Sequence, residues 1–434
     1  MAREIAFVRS EMLGEKPPPA SIVGVQGWIK DNLFSSVSNS ILTVVALYLV
    51  FVILSGILPW IFLGIWNAES LAECREIFAE RYGDGTEYAC WAVVKARWHQ
   101  IVFGYYSPDQ YWRPILGFIL IAVSIAPILF PKLPKKLFFV SFASLFLYPW
   151  LIWGGSFWTP ITAALGAVIG FFAYRYVTER FGFLFGVLAG CAAALIWWSF
   201  ISGFAASALQ SAIPATIAQV SSLNLAGFVL SITIGIVAIV ASLPIAIVLA
   251  LGRQSDMWIV NKLCTGFIET IRGVPLITLL FVATVLLNYF LPRGVEFDVI
   301  LRVNILVTLF TAAYIAEVIR GGLAALPKGQ YEAADALGLT YWQAQRQIIL
   351  PQALKISIPG IVSNFISVFK DTTLVSIVAL NDPLGIANNI RANSDWNGIV
   401  WELYGFIALI FWVVCFSMSR YSMYLERKLQ TGHR

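Results

Sequence analysis

The sequence predicts an all-α integral membrane protein of about ten spans, and three observations lead there. Of its 434 residues 59% are hydrophobic and only 12% charged, with a mean hydropathy of +0.79; a soluble domain carries about twice that charge. Apolar runs of spanning length recur from Ile41 to Tyr424, separated by charged loops. Basic residues gather at alternate loops, so one topology accounts for every sign. The formal net charge of +5 suits loops that face anionic lipid headgroups, and no basic cluster interleaved with aromatic residues points to nucleic acid.

The opening stretch MAREIAFVRSEMLGEKPPPA has charges where a signal peptide needs an apolar run, so no cleaved signal is expected, and residues 1–40 read as a cytoplasmic tail. Arg3, Arg9, Lys16 and Lys30 place that tail inside, and Ile41 to Trp66 is the first span. A polar loop of mixed sign follows from 67 to 113, on the periplasmic side of this topology. Its Cys74 and Cys90 could close a disulfide in an oxidising compartment or remain two free thiols. Pro114 to Phe130 returns to the basic PKLPKK. Leu137 to Tyr174, broken by Gly154, Gly155 and Pro160, reads as two shorter spans, and Arg175, Glu179 and Arg180 form the next inner loop. Phe181 to Gly252 holds a span, an outer interfacial segment from Ser207 to Asn224 and another span. Then come Met257 to Leu291 outward, the outer loop RGVEFD, Val303 to Leu326 inward, Gln352 to Leu380 outward and Gly398 to Tyr424 inward. Both termini are expected inside, with five spans in an extension over 41–222 and five in a second domain over 223–434.

One segment resists the membrane. From Glu332 to Pro351 the chain reads EAADALGLTYWQAQRQIILP, helix-forming but polar, with Gly338 as an interruption. It predicts a helix, a turn and a second short helix ending at Pro351, lying at the surface within a loop over 327–351 and offered to another protein. The order Glu332, Ala333, Ala334, Gly338, Ile348, Leu350, Pro351 resembles the EAA loop of the membrane subunits of ABC importers. The alternative is a cytoplasmic helical hairpin in some other transporter. The second domain resembles the permease domain of polar-amino-acid ABC importers. The whole chain is similar to the longer permease subunit of the general L-amino-acid ABC transporters of Gram-negative bacteria, which carries an N-terminal membrane extension.

That resemblance implies a type I ABC importer permease core in the bacterial inner membrane, with L-amino acids of broad specificity as cargo. It implies as partners a second permease, two ATP-binding subunits and a periplasmic binding protein. Glu332, Ala333, Ala334 and Gly338 would then dock on the ATPase. No G-x-x-x-x-G-K-[ST] occurs in the sequence, so ATP and its Mg are expected on the partner, with no cofactor on this chain. The competing class is an ion-coupled secondary transporter, which would show matching polar features in both halves; the first half has none.

Lys370 and Asp371 lie in the apolar run ISVFKDTTLVSIV, where a charge costs about 2.5–3.5 kcal/mol on the mildest scale. An amino acid carries an ammonium and a carboxylate on one carbon, which a neighbouring anion and cation can receive, with Thr372 and Thr373 adding hydroxyls. In the resembling family this motif lines the substrate site, so Lys370 would take the carboxylate and Asp371 the ammonium; the plain alternative is a structural charge network. Glu269 with Arg272, and Glu317 with Arg320, stand three residues apart on helical faces and can pair locally, as gate supports or as ordinary interfacial ion pairs. The run from Arg272 to Leu276, with Gly273 and Pro275, resembles the family's kinked second core helix. Trp60, Trp66, Trp150, Trp153, Trp158, Trp197 and Trp198 cluster near span ends as an interfacial belt. His99 and His433 are too few to suggest a metal site.

Overall fold

A computed structural model describes residues 24–130, 132–286, 289 and 297–430. The expectations placed on Arg3, Arg9 and Lys16, on most of the RGVEFD loop and on His433 lie outside the described residues. By contacts the chain forms two compact units, one of residues up to Ala68 together with Ala72–Ala92, the other of Glu69–Leu71 together with Val93–Arg434.

The first unit holds helices α1 (Gly24–Leu33) and α2 (Val37–Phe62) and most of α3 (Leu71–Tyr82). The Ser36 hydroxyl accepts from the Asn39 amide at 3.1 Å, satisfying one of the orphan donors at the start of α2. Beyond α2 the chain is not a plain loop: α3 folds and Cys74 is bonded to Cys90, with Arg75 and Glu87 paired at 3.2 Å. Trp91 donates its indole N–H to Ile61 O at 2.9 Å, and the rings of Trp60 and Trp66 pack on it at 5.8 and 5.7 Å.

The second unit contains α4 (Ala92–Phe103), α5 (Trp112–Leu129), α6 (Leu137–Trp153), α7 (Trp158–Phe181), α8 (Phe183–Ile196), α9 (Ser202–Ala212), α10 (Gly227–Arg253), α11 (Trp258–Gly273) and α12 (Leu276–Phe281). It continues with α13 (Val299–Ala324), α14 (Lys328–Ala336), α15 (Tyr341–Ala344), α16 (Leu350–Asp371), α17 (Pro383–Arg391) and α18 (Trp401–Gln430). Among the described residues eight helices are long and apolar enough to cross a membrane. The bent pair α11 and α12 makes up to nine, one fewer than the ten expected, and α6, at 17 residues, is a shorter apolar helix. Four of the nine precede residue 222 and five follow it.

Three boundaries differ from expectation. The segment read as one outward run from Met257 bends by 103° between α11 and α12; Pro275 lacks an N–H and disfavours the helical region for Val274, so the chain turns there. The helix starting at Phe183 continues through a π-helical turn at Trp197–Ile201 as far as Ala212, past the expected start of the interfacial segment. The third is at Pro351, where the sequence predicts a helix end and the helix instead runs on. Two short strands, Gly155–Ser156 and Thr216–Ile217, pair antiparallel and join the α6–α7 turn to the segment after α9.

Contacts sort the helix ends onto two sides. At one side Phe183 meets Trp342, and the Tyr421 hydroxyl donates to Leu129 O at 2.7 Å, so the turn after α7, the end of α5, the polar segment and the end of α18 lie together. At the other, Asn389 donates to the Tyr105 hydroxyl at 2.7 Å and the Gly227 amide to Asn381 O at 2.7 Å. These are called the near and far ends below. The alternation matches that of the loop charges.

Helix packing is set by small residues, because in lipid close backbone approach replaces the hydrophobic drive between helices. A Cβ on Gly322 would stand 2.6 Å from Ala353 O, and one on Gly360 2.6 Å from a Val318 methyl, so α13 and α16 touch almost backbone to backbone. Gly170 and Gly190 do the same for α7 and α8, at 2.9 Å from each other's carbonyls. Across residue 222 the Tyr148 hydroxyl and Thr233 Oγ1 lie 2.7 Å apart, both buried, which fixes α6 to α10. Arg113, expected in the periplasmic loop, is instead wholly buried at the start of α5. Its guanidinium donates to Leu151 O, Ile152 O and Ala218 O at 2.7, 3.2 and 2.7 Å, supplying the carbonyls that α6 leaves orphaned at its C-terminus.

Candidate functional site

The polar segment forms two helical pieces as expected, but only the first is a separate element. In α14 Glu332, Ala333 and Asp335 face outward while Ala334 is buried. Gly338 takes a left-handed φ of +68° and closes the helix, which a side chain would oppose. Thr340 and Gln343 then form a capping box that starts the next helix. Exposed Leu337, 74% accessible, stands at the tip with Tyr341 and Trp342 half in solvent.

The second piece does not end at Pro351. From Tyr341 the helix runs to Val378 as one element of 38 residues. A π-helical turn at Gln345–Ile349 makes this tolerable: the Leu350 amide bonds five residues back, to Gln345 O, so the register has already shifted where the proline removes a donor. Gln345 and Ile349 are buried and Gln352 donates to Gln330 Oε1 at 3.0 Å, so this piece is packed down rather than lying free at the surface. Its underside rests on the near-end core of Ile315, Ile319, Leu323 and Ala353.

At the other end of that helix α16 stops at Lys370 and Asp371, and Thr372–Val378 winds as a 3-10 helix. The element ends at Ala379, whose φ of +63° makes it the one non-glycine residue of positive φ among the described residues. A change from α to 3-10 winding inside a span is a place where a helix can twist. Lys370 is exposed and Asp371 half-buried, and neither has an ion-pair partner within 4 Å among the described residues. The Thr372 and Thr373 hydroxyls donate to Phe369 O and Lys370 O at 2.8 and 2.9 Å, which leaves their oxygens able to accept. Phe369 lies 3.3 Å from where a Gly235 Cβ would stand, eight residues or roughly 12 Å along α10 from its far-end start.

The charged residues of α11 and α13 form one cluster rather than two local pairs. Glu317 Oε1 accepts from Arg320 Nη2 at 2.6 Å, the expected partner. Its Oε2 accepts from Arg253 Nη1 at 2.9 Å and faces Arg272 Nη1 at 3.8 Å. Glu269 pairs with Arg253 at 2.7 Å, not with Arg272. The expected Glu269–Arg272 pair is thus replaced by a cross-helix arrangement in which Glu317 serves three arginines from α10, α11 and α13. Arg272 also stands over the Tyr314 ring at 5.4 Å. Helical spacing identifies neighbours on one helix, and the closer contact here is with a residue sixteen positions earlier that the α10–α11 turn folds back.

Two residues that spacing did not single out matter locally. Arg113 is described above; its signal was a lone cation beside Pro114 at the head of an apolar run. Asp382 is fully buried at the far end, caps α17 by accepting from the Leu384 and Gly385 amides at 3.2 and 2.9 Å, and burial pushes its carboxyl up to about 6. Its signal was present, an Asp directly before Pro383.

Comparison with known proteins gives this arrangement its context. Residues 242–431 match the family described as the binding-protein-dependent transport system inner membrane component. The chain is 54% identical over 436 residues to the glutamate/glutamine/aspartate/asparagine transport system permease protein of Rhodobacter capsulatus, covering 99% of this chain and 100% of that protein. It is 38% identical over 424 residues to an inner membrane amino-acid ABC transporter permease of Escherichia coli, covering 97% and 98%. A probable glutamine ABC transporter permease of Bacillus subtilis aligns at 32% over 214 residues, 49% of this chain and 95% of that protein, so relatives of half the length also exist. A secondary transporter is thereby set aside. The chain belongs to the amino-acid ABC transporter permeases, the multi-span membrane components of binding-protein-dependent import.

Proposed function

We propose that this permease carries L-amino acids with acidic and amide side chains inward, and that Lys370 receives the carboxylate and Asp371 the ammonium common to them all. The substrate range follows the name of the Rhodobacter capsulatus relative, aligned end to end. The observation that carries the reading is the single helical element from Tyr341 to Val378: an exposed polar segment at one end, the charged pair some 45 Å along, and one change of winding beyond it. A shift of the near end is transmitted along such an element and absorbed where the winding changes.

In this reading the near end is cytoplasmic, the far end periplasmic, both termini are inside and the membrane is the bacterial inner membrane. Glu332, Ala333, Ala334 and Gly338 dock on one of two ATP-binding subunits, which hold ATP and Mg, so this chain translocates and does not hydrolyse. A periplasmic binding protein delivers substrate to the far end. The exposure of Lys370 on a single chain suits a site completed by a second permease. The cluster around Glu317 holds α10, α11 and α13 together on the near side as a gate support. Residues 223–434 form the translocating domain, with 41–222 as its extension.

The test is uptake by the reconstituted complex. Asp371→Ala and Lys370→Ala should abolish uptake while the ATPase subunits stay bound on purification. Glu332→Lys should release them. Uptake unchanged in both charge variants would sink the substrate assignment.

A further inference from the structure

The α7–α8 hairpin belongs to the extension, for which no role is assigned, yet its near-end tip touches the polar segment. The Phe183 ring lies 5.4 Å, centroid to centroid, from that of Trp342, which is the second residue of the 38-residue helix. The hairpin is stiff. Its turn is a single residue, Gly182, at a φ of +90° that side chains rarely adopt. Its arms are drawn together by Gly170 and Gly190, and by Gly186 packed on Thr178. Toward the far end the Trp197 and Trp198 indoles donate across it to Thr162 O and Ala163 O at 2.8 and 2.9 Å. Any motion of Trp342 must therefore either carry a rigid two-helix strut with it or slide against the strut's tip.

We propose that Phe183 is a positioning residue for energy coupling: the extension hairpin is the fixed strut against which the first turn of the Tyr341–Val378 helix is set, through the Phe183–Trp342 contact. This rests on the reading of the polar segment as the ATPase docking element. The contact joins the hairpin to that segment beside its exposed tip, and only about a third of Phe183 is accessible while neighbouring Phe181 is 68% exposed and makes no ring contact among the described residues. Aromatic pairs couple by an amount that corresponds to about a twofold to tenfold effect on an equilibrium.

The experiment uses the complete complex in proteoliposomes with substrate-loaded binding protein. It reads retention of the ATPase subunit, ATP hydrolysed and substrate imported for Phe183→Ala, Trp342→Ala and the double variant, with Phe183→Tyr as the conservative variant and Phe181→Ala as control. The expected result is that Phe183→Ala keeps the ATPase subunit but lowers import per ATP about twofold to tenfold. Phe183→Tyr restores the ratio, Phe181→Ala is unchanged and the double variant is no worse than Trp342→Ala. A wild-type ratio in Phe183→Ala or in Trp342→Ala overturns the proposal, as do losses that multiply in the double variant. If Phe183→Ala does not accumulate in the membrane, Trp342→Ala alone decides. Failure of the docking reading is separately visible, as Glu332→Lys that still retains the ATPase.

Discussion

Replacing Glu317 by Gln keeps the side chain's shape and removes the one charge shared by three arginines. Its bonds to Arg253 and Arg320, at 2.9 and 2.6 Å, are charge-assisted, and such bonds are each worth about 1.5–3 kcal/mol when shielded. Arg253 is 21% exposed and counts nearly in full, whereas Arg320, at 38%, is discounted toward the 0–1 kcal/mol of a surface pair. The expected loss is about 2–3 kcal/mol, or roughly 30- to 150-fold in the population of locally open states. Hydrogen exchange on the assembled complex reads it directly, as faster exchange of amides around 250–257 and 314–321 with little change in α17. Glu269→Gln is the internal comparison: Glu269 has one partner and is 54% exposed, so exchange should rise by less than about fivefold. Equal acceleration by the two variants would refute the view that Glu317 is the centre of the cluster.

Gly322→Ala should lower the melting midpoint and the yield of monodisperse protein, costing about 1–3 kcal/mol, because the new Cβ meets Ala353 O at 2.6 Å; Gly321→Ala, whose Cβ would meet nothing within 4 Å, should be tolerated. Asp382, with its folded pKa raised to about 6 from the ordinary 3.8, binds its proton more tightly in the native state. Its contribution to stability is complete below about pH 4 and is lost as pH rises through about 6, roughly 2–3 kcal/mol in all. Asp382→Asn, whose single amide oxygen can still accept from the Gly385 amide, should flatten the pH dependence of the melting midpoint between about pH 4 and 6. Replacing Cys74 and Cys90 together by Ser should speed tryptic cleavage at Arg75 and Arg81 without releasing the ATPase subunit, since the bond closes a loop of sequence separation 16, worth about 3 kcal/mol.

The sequence by itself determined the multi-span helical class and the approximate places of most spans, because lipid demands that every backbone polar group be satisfied within a helix of known length; the ten spans it predicts exceed the eight or nine crossing helices found among the described residues. It also determined the polar segment at Glu332 to Pro351 and the charged pair at Lys370 and Asp371, since polarity inside an apolar run is visible residue by residue. Only the tertiary structure decided which charges meet. Glu269 chose Arg253 over Arg272, and Arg113 turned inward to the end of α6, because packing of distant helices sets those distances and helical spacing reports only neighbours on one helix. Likewise Pro351 signals a helix end in sequence, yet the π-helical turn before it shifts the register and lets the helix pass. The tie between the extension and the polar segment, Phe183 on Trp342, was also beyond the sequence, since 159 residues separate two aromatic rings that helix packing alone brings together.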